Sequence, residues 1–120
     1  MSRMMRDKEY LEHQRVHCFD EHIAPINKLV DKLQIGKELK IPYVAPAYGG
    51  VNSRVLCILQ DPGPSCAGDA EGSGFLSVEN DDVTAERLCK LLDEAGLKPS
   101  EMTALNAYPW YLKDTGKHLP

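Results

Sequence analysis

Between Arg54 and Leu59 the chain reads Arg-Val-Leu-Cys-Ile-Leu, and Gln60-Asp61-Pro62-Gly63 follows at once. An apolar run without alternation predicts a short parallel strand covered on both faces. Pro62, Gly63 and Pro64 rule out its continuation as helix. A chain built around such a strand is constrained to an α/β architecture. In open α/β sheets the ligand crevice lies just outside the carboxyl ends of the strands. Asp61 therefore stands where a catalytic group would stand.

Downstream, Asp81 and Asp82 offer helix N-caps, and Ala85, Leu88, Leu92 and Ala95 mark one face of a helix, with Leu91 beside them. Gly96 is the expected stop. Met102 to Leu105 is short and apolar and predicts a second strand. Strand, loop, helix and strand in that order make a βαβ unit with parallel strands. Neighbouring parallel strands open at the same end, so Asp61 and Asn106 are expected to face one crevice.

Upstream, the stretch from about Asp7 to Gln34 reads as helix. Val16, Phe19, Ile23, Ile26, Val30 and Leu33 recur at helical spacing and are expected on one face. Pro25 predicts a kink or a break, with the proline in the first turn of a second helix. Gly36 is the expected end. Lys40 to Ser53 and Gln60 to Gly74 read as loops, dense in proline and glycine. The division expected is a helical segment over 1–40 and an α/β domain over 41–120. Only fourteen residues follow Asn106, and parallel sheets usually have more than two strands. The expectation is that the N-terminal helices cover a two-stranded sheet, or that the sheet is incomplete and a second chain or protein partner completes it, or that the domain is truncated.

Net charge is −4, which argues against a broad electrostatic grip on nucleic acid but leaves room for a local basic face. Arg3, Arg6 and Lys8 cluster near the start; Lys28, Lys32, Lys37 and Lys40 read as a solvated helix face. Cys18, Cys57, Cys66 and Cys89 form no C-x-x-C pair and read as reduced structural thiols. His13 and His17 lie one helical turn apart, but no carboxylate or cysteine pattern completes a metal set, so no metal and no cofactor are expected. No apolar stretch reaches the ~18 residues of a membrane span, and no signal core is present, so a cytoplasmic location is expected.

Three side chains carry candidate chemistry. Asp61 can serve as general base for water or stabilise a forming cation, and can equally close a local turn. Phe75, in Ser73-Gly74-Phe75-Leu76-Ser77-Val78, offers a ring on which an extruded base could stack, or an ordinary core anchor. The Asn106 amide has one acceptor and two donors, enough to read a pyrimidine edge by taking its N–H and giving to its carbonyl, and is also a common strand-end residue.

Taken together, Val55–Gly63, Gly74–Val78, the helix after Asp82 and Leu105-Asn106 resemble, in order and separation, the first half of a uracil-DNA glycosylase fold. Ile41-Pro42-Tyr43 and Gly49-Gly50 resemble the approach to its first motif. The resemblance runs from about residue 41 to 112. It implies a partial uracil-DNA glycosylase-like fold and hydrolysis of the N-glycosidic bond of uracil in DNA, as in base-excision repair. Asp61 would be the catalytic carboxylate. Gln60, Pro62, Gly63, Phe75 and Asn106 would bind the substrate: Gln60 through its backbone, Phe75 by stacking, Asn106 by telling uracil from cytosine. Gly63 stands where the best-known branch has a thymine-excluding tyrosine. The family's second motif, of the type His-Pro-Ser, does not occur in this chain. The alternative is therefore a catalytically inactive relative acting as a DNA- or protein-binding module.

Overall fold

The computed structural model describes residues 2–35, 40–60, 62–63, 66 and 72–110. The chain is mixed α/β. Helices α1 (Lys8–His17) and α2 (Ala24–Gln34) precede strand β1 (Tyr43–Val44) and strand β2 (Val55–Leu59). Strand β3 (Phe75–Leu76), helix α3 (Val83–Ala95) and strand β4 (Met102–Asn106) complete the order. The strands form two small parallel sheets, β1 with β3 and β2 with β4.

Local chemistry sets the element ends. The Asp7 side chain accepts from the Glu9 N–H and opens α1. Pro25 sits in the first turn of α2, where a missing N–H costs nothing, and the expected helix is accordingly two helices. The Asp82 carboxylate accepts from the Ala85 N–H and opens α3. Gly96 closes α3 at φ 73°, its N–H and that of Leu97 reaching back to carbonyls of the last turn. α2 stops at Gln34; Gly36 lies outside the described residues.

One core serves the whole described chain. Met5, Cys18 and Ile23 from the N-terminal segment share it with Val44, Tyr48, Phe75, Val78, Met102 and Ala104. The helical segment is therefore part of the same packing unit as the strands, and residue 40 marks no boundary between separate cores. Of the expected helical face, Ile23 and Val30 are buried, whereas Val16 is 69% exposed and Phe19 and Leu33 are also open to solvent. The break between His17 and Ala24 explains this: it resets the phase, so residues on either side no longer line one stripe.

Asn27 carries the join between α2 and β1. It is fully buried. Its Nδ2 donates to the carbonyls of Cys18 at 2.7 Å and Val44 at 3.0 Å, and its Oδ1 accepts from the Val44 N–H at 2.8 Å. The amide thus acts as a substitute strand neighbour along the edge of β1 that β3 does not occupy. β1 lies where the sequence predicted only loop, β3 begins just past the end of the second expected loop, and this side-chain pairing is part of the reason β1 can exist at two residues. On its other edge, Tyr43 N–H bonds to Gly74 C=O and Ala45 N–H to Leu76 C=O.

A second buried amide closes the turn after β3. Asn80 Nδ2 donates to the Phe75 carbonyl at 2.8 Å, Ser73 Oγ donates to Asn80 Oδ1 at 2.7 Å, and the Phe75 N–H donates to Ser73 Oγ.

The β2–β4 sheet follows the expected parallel pairing, Val55 beside Met102 through Leu59 beside Asn106. Its covering differs from expectation. β4 is buried through Met102, Thr103 and Ala104, whereas Val55, Leu56, Ile58 and Leu59 are 40–58% exposed. The reason is position: Met102 and Ala104 of β4 belong to the core and the Gly49–Ser53 turn is fastened along β4, whereas no residue of β2 is fully buried. Ser53 Oγ bonds to Thr103 Oγ1, and Gly49 N–H to the Met102 carbonyl, so that turn is fastened to β4. Gly50, at φ +58°, lies where a Cβ would run into the His22 carbonyl, so only glycine fits there.

Candidate functional site

The carboxyl ends of β2 and β4 lie side by side. Leu59 is registered against Asn106. One step beyond, the Ala107 N–H donates to the Leu59 carbonyl at 2.8 Å and the Tyr108 N–H to the Gln60 carbonyl at 3.0 Å. The parallel ladder thus continues past both strands and holds Gln60 and Asn106 at one sheet end, as the βαβ reading required. Asp61, the expected catalytic carboxylate, lies outside the described residues.

Asn106 is partly buried, and its Oδ1 is shielded from solvent with no hydrogen-bond partner among the described residues. A buried unsatisfied acceptor costs about 1–3 kcal/mol. The two fully enclosed asparagines, Asn27 and Asn80, satisfy their amides completely. Asn106 therefore stands apart: its acceptor meets no donor among the described residues.

The loop residues divide. Pro62 is buried and Gly63 partly exposed. A Cβ added at Gly63 would meet nothing within 4 Å, so the position faces open space. Cys66 is buried, and burial pushes its thiol up to about 11, so it is a protonated packing group at neutral pH and no nucleophile. Nearby Tyr48 is raised for the same reason.

Phe75 does not match the stacking role. Its ring is 2% exposed and belongs to the core, tilted against Tyr43 with centroids 6.4 Å apart. Pairing with β1 and the Ser73–Asn80 bracket draw this segment inward, and no open face remains for a base. Aromatic surface occurs instead at the sheet end itself. Tyr108 and Trp110 follow Asn106 directly, make an edge-to-face pair with centroids 5.3 Å apart, and are partly exposed. The sequence carried a signal for them: a Pro-punctuated aromatic pair immediately after a strand end.

Arg3 and Arg6 of the expected basic cluster are paired with carboxylates. Arg3 bonds to Asp81 and Glu86, and Arg6 to Asp81 at 2.7 Å. These guanidiniums hold the Asp81 carboxyl below its ordinary range. They fasten the N-terminal turn to α3 rather than offering themselves to phosphates. Lys28 and Lys32 are exposed on α2, in keeping with a solvated face. The His13 and His17 rings lie 4.3 Å apart, and His17 bonds to Asp20. No group of three His, Cys, Asp or Glu side chains placed to hold a metal exists among the described residues. All four cysteines are free thiols. No helix among the described residues is long and apolar enough to cross a membrane.

A groove of about 430 Å³ runs between α3 and the N-terminal segment, bordered by Glu79, Cys89, Lys90 and Lys98. It contains none of the residues singled out from the sequence. No family model matches this chain, and neither does any curated protein or solved structure.

Proposed function

We propose that the chain is a uracil-DNA glycosylase-like protein that reads uracil at the carboxyl end of the β2–β4 sheet. The observation that carries this reading is the unpartnered, shielded Oδ1 of Asn106 beside Gln60. Uracil offers an N–H next to a carbonyl, the complement of an amide's acceptor and donor. Cytosine offers an acceptor and an amino group at the same places, so it leaves the buried acceptor unpaired. Sites built this way reject the wrong ligand strongly.

In this reading the Gln60 backbone contacts the base carbonyls, and Pro62 and Gly63 border the base. The open space at Gly63 leaves no bulk to exclude a thymine methyl. Stacking comes from Tyr108 and Trp110, because the Phe75 ring is enclosed. Asp61, next in sequence to Gln60, activates water or offsets positive charge on the deoxyribose as the N-glycosidic bond breaks. The reaction is hydrolysis: water adds to the sugar carbon, and uracil leaves with the bonding electron pair and takes up a proton.

A second reading is a module that binds DNA or protein without hydrolysis. One observation favours it: the Phe75 ring is closed off from a base. Release of free uracil from a single-stranded oligonucleotide, measured beside anisotropy of the labelled strand, separates the two. Release that disappears in Asp61→Asn while binding persists supports the enzyme. Binding that prefers uracil, without release, supports the second reading. Binding indifferent to uracil, or none at all, refutes the proposed site.

A further inference from the structure

The uncovered strand β2 carries an inference of its own, independent of base recognition. Among the described residues β2 has one neighbour, β4. The Leu59 carbonyl accepts from Ala107 on the β4 side. Backbone groups alternate along a strand, so Cys57 and Leu59 turn theirs to β4 and Leu56 and Ile58 turn theirs to the opposite edge; at the start of the strand it is the Arg54 N–H that bonds to the Glu101 carbonyl. Edge strands are usually blunted by lysine, proline or a bulge. Val-Leu-Cys-Ile-Leu has none of these, and four of its five side chains stand open to solvent.

The strand is also close to its own mirror in chemistry. Read backwards it is Leu-Ile-Cys-Leu-Val. An antiparallel pairing of two copies about a two-fold axis at Cys57 sets Val55 against Leu59 and Leu56 against Ile58 of the second copy. At every step except the central Cys57 pair, branched aliphatic meets branched aliphatic, which is the favourable kind of cross-strand pair. Arg54 of one copy comes opposite Gln60 of the other, so no like charges face each other. The hydrogen-bonding phase fits as well: Leu56 and Ile58, whose N–H and C=O groups face no strand among the described residues, become the hydrogen-bonded pairs. Cys57 becomes a non-hydrogen-bonded pair with its own copy.

We propose that this chain self-associates through β2, two copies joining their two-stranded sheets into one four-stranded sheet centred on Cys57. The self-matching sequence, the phase of that edge and the absence of charge conflict select a second copy over an unrelated strand. The interface is a two-fold one, the commonest symmetry of homo-oligomers, and small, so association should be concentration-dependent.

The test is sedimentation equilibrium of the full chain from about 1 µM to 1 mM, the range that brackets small interfaces. Alongside run Leu56→Lys and Ile58→Lys, whose exposed side chains leave folding intact as read by circular dichroism. Expected are a monomer–dimer equilibrium in the wild type and at least a tenfold weaker one in both variants. In the paired strands the Cys57 Cα atoms lie about 4.5 Å apart, within the span of a disulfide. Diamide, taking two electrons and two protons from two thiols, should therefore give a Cys57–Cys57 cross-link, located by peptide mass spectrometry. Cys57→Ser should lose the cross-link but keep the dimer. A monomer throughout the range, a dimer untouched by both lysine substitutions, or cross-linking only through other cysteines would overturn the proposal.

Discussion

Replacing Asn27 by Ala tests whether a buried amide really does the work of a missing strand. Three hydrogen bonds disappear, and the Cys18 carbonyl, the Val44 carbonyl and the Val44 N–H lose their partner. Val44 is 1% exposed, so water does not reach these groups without local opening. At about 1–3 kcal/mol for each buried group left unsatisfied, partly relieved by relaxation, the loss should be about 3–6 kcal/mol. A domain of this kind has only about 5–15 kcal/mol in total. With an m-value of ~1–3 kcal/mol/M, the urea midpoint should fall by about 2 M with the slope unchanged. Asn27→Leu keeps the volume and removes only the polar contacts, so it should lose a similar amount. Val16→Ala, on the exposed side of α1, should stay within about 0.5 kcal/mol of the parent. If Asn27→Ala behaved like Val16→Ala, the amide would be incidental and the account of β1 would fail.

Further outcomes follow from other positions. Gly50→Ala forces a side chain into left-handed backbone at φ +58° and against the His22 carbonyl, and should cost at least about 1–2 kcal/mol by urea unfolding. Trp110→Ala should weaken binding of a uracil-containing oligonucleotide by about 1–3 kcal/mol, the usual worth of a base–aromatic contact, as read by anisotropy. Burial raises Cys66 to about 11 and Tyr10 to about 12. The unfolded chain therefore releases these protons at lower pH than the folded one. Stability should be intact below about pH 9 and decline as pH rises towards 11–12. A flat midpoint between pH 8 and 11, followed by urea titration, would contradict the burial of that thiol.

What the sequence could reveal depended on whether a single residue type dictates local geometry. Asp82 and Gly96 bracket α3 because a carboxylate satisfies free N–H groups and glycine accepts positive φ, and both act within a few residues. Pro25 divided α1 from α2 for the same local reason. The pairing of β2 with β4, and with it the meeting of Gln60 and Asn106, followed from strand order alone. Covering did not. A five-residue apolar run reads alike whether buried or at a rim, so the exposure of Leu56 and Ile58 had no signal. β1 and β3, at two residues each, are too short for any periodicity. Asn27 and Asn80 look like surface residues in a list of amino acids, and their burial depends on partners far along the chain. Phe75 was open to two readings, and tertiary packing chose the core. Tyr108 and Trp110 were visible but had no assigned role, because which face they present depends on the turn after β4.

The central claim is that the Asn106 amide is a waiting acceptor and donor for a pyrimidine. Its side-chain NH₂ resonances, followed by ¹⁵N-correlated NMR during titration with free uracil and separately with cytosine, test it most directly. The account expects these resonances to move with uracil and to stay in place with cytosine. Movement with both bases alike, or with neither, would show that Asn106 does not read the base.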